Sequence, residues 1–221
     1  MRITHHPDVA TLMGYSAGTL GEALSAVVAC HLDWCPRCRL ESQRMRTIGA
    51  VLLEELTPEP ILDDCDGMFS ARLDSVINVR EFPVRPRAYS DDTNQFPKPL
   101  SRRLEFDLGG IGWKWLGPGT KFFPIPLSDN SPGDLRLLNI APGRAIPEHG
   151  HSGSELTLVL QGSFTDRSVR YCRGDLAEAD EEVEHRPVVD PGGSCTCLWA
   201  SESPLRFKTL GGRIAQRFIG M

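Results

Sequence analysis

Two histidines and a glutamate in the second half of the chain have the spacing of metal ligands on a β-strand. His149 and His151 are two residues apart, so on a strand their side chains point to the same face, and Glu155 keeps that parity. His185 would come from a second strand and complete the set. Three imidazoles and one carboxylate suit Zn, Fe(II), Mn or Ni. These four residues therefore predict one metal site in a β-domain.

Glycines surround these ligands at fixed intervals. Gly143 and Gly162 complete the pattern G-x5-H-x-H-x3-E-x6-G, and Gly174 opens the pattern G-x10-H that ends at His185. The two patterns resemble the signature motifs of the cupin superfamily, and the first one matches at every defined position. The second departs from the family around the turn between its strands, at Asp180, Glu182 and Val189. The resemblance implies an all-β cupin barrel, a jelly roll, for this part of the chain.

A second group of metal-binding residue types lies near the N-terminus. His31, Cys35 and Cys38 form the pattern H-x3-C-x2-C, in which His31 and Cys35 are one helical turn apart. Pro36 is well placed as the first residue of a new helix. Neutral imidazole and thiolate are the usual ligands of structural zinc, which takes four. The candidates for the fourth ligand are His5, His6, Cys30 and Cys65.

The residues alone leave alternatives for this N-terminal cluster. Cys30 ends an apolar run and is expected to pack in a core, so a histidine from the start of the chain is the better fourth ligand. The pair C-x2-C could instead be a thioredoxin-type redox dithiol. That interpretation requires a preceding strand in a βαβ context, whereas the flanks here have helical patterning.

The stretch HHPDVATLMGYSAGTLGEALSAVVACHLDWCPRC resembles the zinc-binding anti-sigma domain of the ChrR type. In that family a histidine just before the first helix joins H-x3-C-x2-C around one zinc. Carried over to this chain, the resemblance makes His6 the fourth ligand, with His31, Cys35 and Cys38. The cupin motifs that follow match the architecture of the same family, which implies Zn in the cupin site as well.

The resemblance also implies a function. It predicts that the chain is an anti-sigma factor and not an enzyme. Such a factor would sequester an extracytoplasmic-function sigma factor and release it under singlet oxygen or organic hydroperoxide stress. The alternative is a metal-dependent cupin dioxygenase or isomerase that uses a helical zinc domain for assembly. A zinc-finger DNA-binding protein is excluded by the charge and by the order of the ligands.

Composition and charge limit the partners. Residues 1–81 contain 7 Arg, no Lys and 12 Asp or Glu, so they carry the whole net charge of −5. An acidic helical domain is a poor binder of nucleic acid but suits a basic partner such as a sigma factor. The sequence has no apolar run of about 18 residues, so no membrane-spanning helix is predicted. Seven cysteines, without an apolar signal segment at the start, favour a reducing cytoplasm.

The patterning along the chain predicts an α+β protein of two domains. Residues 1–81 are expected to form an all-α zinc-binding helical bundle, residues 82–99 a proline-rich linker, and residues 100–221 the all-β cupin domain. The expected helices are one capped by Asp8, one over residues 22–31, one from Cys35 to just before Pro58, and one over residues 61–79.

Three cysteines of the cupin domain have two possible roles. Cys195 and Cys197 form C-x-C on a predicted strand, with Trp199 at the same parity, and Cys172 precedes Gly174. Free cysteine usually behaves as a small buried apolar residue. The functional alternative is an oxidisable thiol near the metal.

Overall fold

A computed structural model describes most of the helical and β regions. The described residues are 2–59, 96–104, 108–147, 149–150, 153–181, 184–203 and 206–207. The helices are α1 (Val9–Ala17), α2 (Glu22–Trp34), α3 (Pro36–Glu54) and α4 (Lys98–Arg103), and a 3-10 turn covers Leu108–Gly110. The strands are β1 (Lys114–Gly117), β2 (Thr120–Pro124), β3 (Asp134–Ile140), β4 (His149–Gly150), β5 (Glu155–Gln161), β6 (Ser163–Asp166), β7 (Val169–Cys172), β8 (Leu176–Ala179), β9 (Val188–Val189), β10 (Cys195–Ser201) and β11 (Arg206–Phe207).

The first three helices begin where the sequence signals predict. The Asp8 side chain caps α1 by accepting a hydrogen bond from the Thr11 backbone N–H at 2.6 Å. Helix α3 begins at Pro36, as its fixed φ favours, so Cys35 lies in the break between α2 and α3. The predicted helix over residues 61–79 lies outside the described residues, as does most of the predicted linker. Helix α4 begins within that linker region, at Lys98.

The β-domain is built on a six-stranded antiparallel sheet in the order β1-β2-β3-β10-β5-β8. A three-stranded sheet, β7-β6-β9, and a two-stranded sheet, β11-β4, accompany it. Strands β3, β5 and β10 are almost entirely buried and form its centre. They are buried because both faces of the large sheet are covered.

One face of the large sheet packs against helix α2, which contacts β3, β5 and β10. The alternation of side chains along the strands sends every second residue into this contact. The apolar residues that meet here are Leu24, Val27 and Val28 of α2 and Leu135, Leu137, Leu156, Leu158, Leu198 and Ala200 of the sheet. Burial of this set stabilises the helix on the sheet, since each fully buried aliphatic side chain contributes about 1.5–3 kcal/mol.

The opposite face of the large sheet packs against the three-stranded sheet. Phe164 and Val189 of the smaller sheet join the other set of strand residues, which are Phe122, Leu138, Ile140, Val159, Cys195, Cys197 and Trp199. Two sheets covering one apolar layer form a β-sandwich. The described part of this domain is therefore a β-sandwich, with Cys195, Cys197 and Trp199 on one face of the large sheet.

The predicted closed barrel is not formed by the described strands. Strands β1 and β8 end the large sheet on either side, and within the described ranges the three sheets stay separate. The physical reason is the shortness of the strands outside the large sheet. Each of β4, β9 and β11 is only two residues long, so it cannot carry a continuous ladder from one sheet to the next.

The helices and the sandwich share a core. Met1–Gly49 and Asn94–Met221 form one compact unit, and Ala50–Thr93 forms a second. Within the first unit, α2 packs on the sheet rather than only on other helices. Of the second unit, the structure describes residues 50–59, whose apolar side chains Val51, Leu52, Leu53 and Leu56 are exposed. The domain boundaries at residues 81 and 99 remain predictions.

Two glycines of the first cupin motif have similar backbone angles but different space around them, so their alanine variants form a matched pair for a stability test. Gly162 has φ +78, and a Cβ there would collide with the backbone carbonyl of Ser194. Gly143 has a similar φ of +69 but open space around it. We expect Gly143→Ala to cost about 1 kcal/mol from the left-handed backbone alone, and Gly162→Ala about 3 kcal/mol or more. Urea unfolding of both variants measures the difference, and equal losses would contradict the packing argument.

Candidate functional site

Four donor side chains converge at the N-terminal end of the chain. The ligand atoms of His6, His31, Cys35 and Cys38 all lie within 4.8 Å of one another. His31 Nε2 is 3.4 Å from Cys38 Sγ, and His6 Nδ1 is 3.5 Å from Cys35 Sγ and 3.3 Å from Cys38 Sγ. Tetrahedral zinc with ordinary Zn–N and Zn–S bonds places nitrogen and sulfur ligands about 3.6 Å apart. The cluster therefore has the size and the donor set of a Cys2His2 zinc site.

Each donor of this cluster is placed by a helix boundary. His31 lies in the last turn of α2, Cys35 in the break after it, and Cys38 in the first turn of α3. His6 comes from the segment before α1. The break at Pro36 turns the chain so that ligands close in sequence can face one point. A β-strand before the C-x2-C pair, which the redox interpretation requires, is not present, because the preceding element is helix α2.

The other candidates for the fourth ligand lie elsewhere or outside the described residues. The His5 ring packs against the Tyr171 ring at 4.6 Å and lies beside Asp175. Cys30 is buried near α4, where burial raises the pKa of its thiol to about 12. Cys65 falls in a part of the chain that the structure does not describe.

Burial sets the protonation of the cluster. Desolvation lowers the pKa of His31 to about 4, so its imidazole is neutral at pH 7 and can act as a ligand. Desolvation, followed by the neighbouring Cys35 thiol, raises the pKa of Cys38 to about 12. A dication at the centre of the cluster would favour the thiolate form of Cys38 by direct attraction. Removal of the metal should therefore reprotonate a ligand as well as vacate the site.

The predicted cupin ligands are described only in part. Glu155 begins β5 and is buried, and its Oε1 lies 3.7 Å from Nε2 of His185, which is also buried. His149 belongs to β4, where its backbone pairs with Phe207, but its side chain is outside the described set, and His151 lies wholly outside it. The structure thus brings two of the four predicted residues together, and the four-ligand metal site stays a prediction.

A carboxylate that the sequence motifs do not indicate holds His185. Asp166 at the end of β6 accepts a hydrogen bond from His185 Nδ1 at 2.9 Å. This contact places a hydrogen on Nδ1 and orients Nε2 of His185 towards Glu155, as a carboxylate behind a metal-binding histidine commonly does. Asp166 stands in a short strand outside both cupin patterns, so only the three-dimensional pairing reveals it.

The C-x-C pair forms a buried dithiol on the same face of the sheet as Glu155. The two sulfur atoms are 3.4 Å apart, and the contact with Cys195, together with burial, raises the pKa of Cys197 well above its ordinary value. Cys197 pairs with Val159, four residues along β5 from Glu155. Four residues of strand span about 13 Å, so the dithiol lies at the same face but does not touch the Glu155–His185 pair.

Comparison with known proteins defines the class to which this arrangement belongs. Residues 102–203 match the family model described as the ChrR Cupin-like domain. Anti-sigma-E factor ChrR of Cereibacter sphaeroides is 40% identical over 222 residues, which cover 99% of either chain. The crystal structure of Rhodobacter sphaeroides SigE in complex with the anti-sigma ChrR matches with a TM-score of 0.71 and 37% identity, over 90% of this chain and 99% of that one.

The chain belongs to the ChrR family of anti-sigma factors. The predicted resemblance is therefore confirmed, as are the N-terminal helices and a cupin-like β-sandwich behind them. The family is one of regulators, so the chain is not an enzyme, and the dioxygenase or isomerase alternative is not supported, although cupin folds also occur in enzymes. No helix within the described ranges is both long and apolar enough to cross a membrane.

Proposed function

We propose that this chain is a cytoplasmic anti-sigma factor that holds an extracytoplasmic-function sigma factor through its zinc-bound N-terminal helices. The observation that carries the proposal is the four-donor cluster of His6, His31, Cys35 and Cys38, in a chain that aligns from end to end with an anti-sigma factor. The complex of the similar ChrR protein with SigE supports a sigma factor as the partner. Structural zinc would fix the angle between α2 and α3, and thereby the shape of the surface that binds the partner.

Exposed apolar residues on an acidic region support the same role. Val9 and Met13 of α1 are 68% and 54% exposed, and Leu40 and Ile48 of α3 are 50% and 61% exposed. Large apolar side chains that remain in water on two neighbouring helices are typical of a protein-binding surface. The surplus of Asp and Glu in residues 1–81 would attract a basic partner and repel nucleic acid. We assign these four side chains to the sigma-binding surface.

The cupin domain is proposed to sense the stress that triggers release. His149, His151, Glu155 and His185 would hold one metal, Zn by the family resemblance, with Fe or Mn compatible with the same donors. The buried contact of Glu155 with His185, and the support of His185 by Asp166, favour such a site. The bound metal would supply an electrophilic centre with an open position for peroxide or another reactive oxygen species. Cys195 and Cys197 would supply an oxidisable pair further along the same face.

Binding and transcription measured together test the anti-sigma role. The chain is co-expressed with an extracytoplasmic-function sigma factor from the same genome, purified as a complex, and added to a transcription assay that depends on that sigma factor. We expect co-purification and inhibition at a one-to-one ratio, and relief of inhibition by a zinc chelator. A chain that neither binds nor inhibits any such sigma factor would show that the anti-sigma role is wrong.

A further inference from the structure

The turn between β7 and β8 of the β-sandwich contacts one of the N-terminal zinc ligands. This β7–β8 turn comprises residues 173–175. The carbonyl oxygen of Gly174 lies 3.0 Å from Nδ1 of His31, in a fully buried contact. A carbonyl can only accept, so Nδ1 of His31 carries the hydrogen and the Nε2 lone pair is left for the metal. That Nε2 atom is the one that lies 3.4 Å from Cys38 Sγ.

The next residue of the turn holds the segment that carries the second histidine. Asp175 is 1% exposed, and one of its carboxylate oxygens accepts hydrogen bonds from the backbone N–H groups of Thr4 at 2.7 Å and His5 at 3.0 Å. Its other oxygen accepts from the backbone N–H of Cys172 at 2.9 Å, which ties the carboxylate to the end of β7. The backbone of His5 is further fixed because its carbonyl accepts from the Leu176 N–H at 3.2 Å. We call these contacts of Asp175 and Leu176 with Thr4 and His5 the clamp. His6 follows His5 directly, so its position depends on the clamp.

Contacts on either side extend the attachment to α1 and α2. Glu178 of β8 accepts hydrogen bonds from the Asp8 backbone N–H at 3.0 Å and from the Thr11 hydroxyl at 2.5 Å, at the start of α1. The guanidinium of Arg173 lies 4.9 Å from the centre of the Trp34 ring, one residue before Cys35. The β7–β8 turn and the strand after it therefore meet the elements that present three of the four ligands.

We propose that the β7–β8 turn is a positioning part of the N-terminal zinc site. Gly174 selects the tautomer and the ring orientation of His31, and Asp175 holds the backbone that presents His6. Groups that orient metal ligands from behind commonly change metal affinity by about 10–100-fold when they are altered. A displacement of β7 or β8 in the β-sandwich would thus loosen the metal in the helices through two hydrogen-bonded contacts. The inference rests on the zinc binding proposed above.

Asp175→Asn is the variant that tests this role. It preserves the shape of the side chain but replaces one acceptor oxygen with an N–H2 donor, which would face a backbone N–H group. The amide loses the bond from Cys172 in one orientation and the bonds from both Thr4 and His5 in the other. Asp129→Asn is the matched control, because Asp129 is an exposed carboxylate in a surface turn. Both variants make the same change of charge in the full-length chain.

Cobalt(II) titration isolates the N-terminal site from the cupin site. Of the two proposed metal sites, only the cluster that contains Cys35 and Cys38 would give a thiolate-to-cobalt charge-transfer band, because the predicted cupin ligands include no thiolate. The full chain is titrated with Co(II), and Zn(II) is then added to displace it. We expect Asp175→Asn to weaken binding by at least about tenfold, and Asp129→Asn to leave it unchanged, with circular dichroism equal in both.

Each outcome separates the positioning role from zinc binding itself. A wild-type chain without the charge-transfer band would overturn the zinc site proposed above. If the wild-type chain shows the band and the Asp175→Asn variant binds Co(II) with equal affinity, the zinc site stands and only the positioning role of the turn is rejected. If Asp175→Asn does not fold, Thr4→Pro decides, since it removes the N–H that donates at 2.7 Å and changes no residue of the β-sandwich. Unchanged affinity in Thr4→Pro would equally reject the proposal.

Discussion

Replacing Cys35 and Cys38 together with alanine is expected to abolish inhibition of the sigma factor. The double variant removes two of the four donors of a cluster whose atoms lie within 4.8 Å of one another. Structural zinc in such sites contributes about 10–16 kcal/mol to folding at pH 7, which is comparable to the whole stability of a typical domain, about 5–15 kcal/mol. Without it, no ion joins His6 to the break between α2 and α3. We expect at least about a hundredfold loss of sigma-factor affinity, measured by titration in the transcription assay.

A second cysteine variant controls for the loss of thiols as such. Cys30→Ala removes a buried thiol from α2, the helix that carries His31, but lies outside the cluster. It should cost some stability through a small cavity and leave zinc content and inhibition near wild type. If the Cys35 and Cys38 variant still inhibits, zinc does not hold the sigma-binding surface. If both variants lose inhibition equally, packing in α2 and not metal binding is the cause.

Replacing His149 and His151 together with alanine is expected to leave inhibition intact and to remove the response to oxidants. The proposed cupin metal would lose two of its four ligands, while the N-terminal cluster keeps all of its own. A sigma-dependent reporter, with and without singlet oxygen or an organic hydroperoxide, measures the response. We expect a wild-type strain to show induction and the variant to stay at its uninduced level. Normal induction in the variant would refute the sensor role of the cupin metal.

The control for this test is a histidine outside the cupin motif. His5→Ala alters a half-exposed ring that packs on Tyr171 and belongs to neither proposed ligand set. It should retain both inhibition and induction. Point variants are preferable to deletion of the whole β-domain, because Leu24, Val27 and Val28 of α2 pack on the sheet. Deletion would expose these residues to water, and any loss of function would then mix sensing with misfolding.

Local rules account for the parts of the structure that the sequence predicts well. The cap at Asp8, the break at Pro36 and the alternation along β10 each depend on a residue and its near neighbours. The convergence of His31, Cys35 and Cys38 follows from the same break. The choice of His6 over His5 needed the family resemblance, since the two are adjacent and spacing alone cannot separate them.

Long-range contacts account for the parts that the sequence does not predict. Helix α2 has apolar residues, but nothing in its own sequence says that their partner is a β-sheet rather than another helix. Asp166 and Asp175 stand outside recognised patterns, and their importance comes from partners 19 and 171 residues away, His185 and Thr4. The closed barrel was expected from the motifs, yet the ladder between sheets depends on strand lengths that the motifs do not fix.

The distance along the chain between the zinc ligands and the β7–β8 turn has a consequence for synthesis. His31 and Gly174 are 143 residues apart in sequence, although their atoms touch. At about 5–20 residues per second, the ribosome completes the ligands roughly 7–30 s before it makes the turn that supports them. A nascent chain would therefore hold its first zinc in a weaker site. The zinc site would reach its full affinity only after the last third of the protein, which contains the β7–β8 turn, has been made.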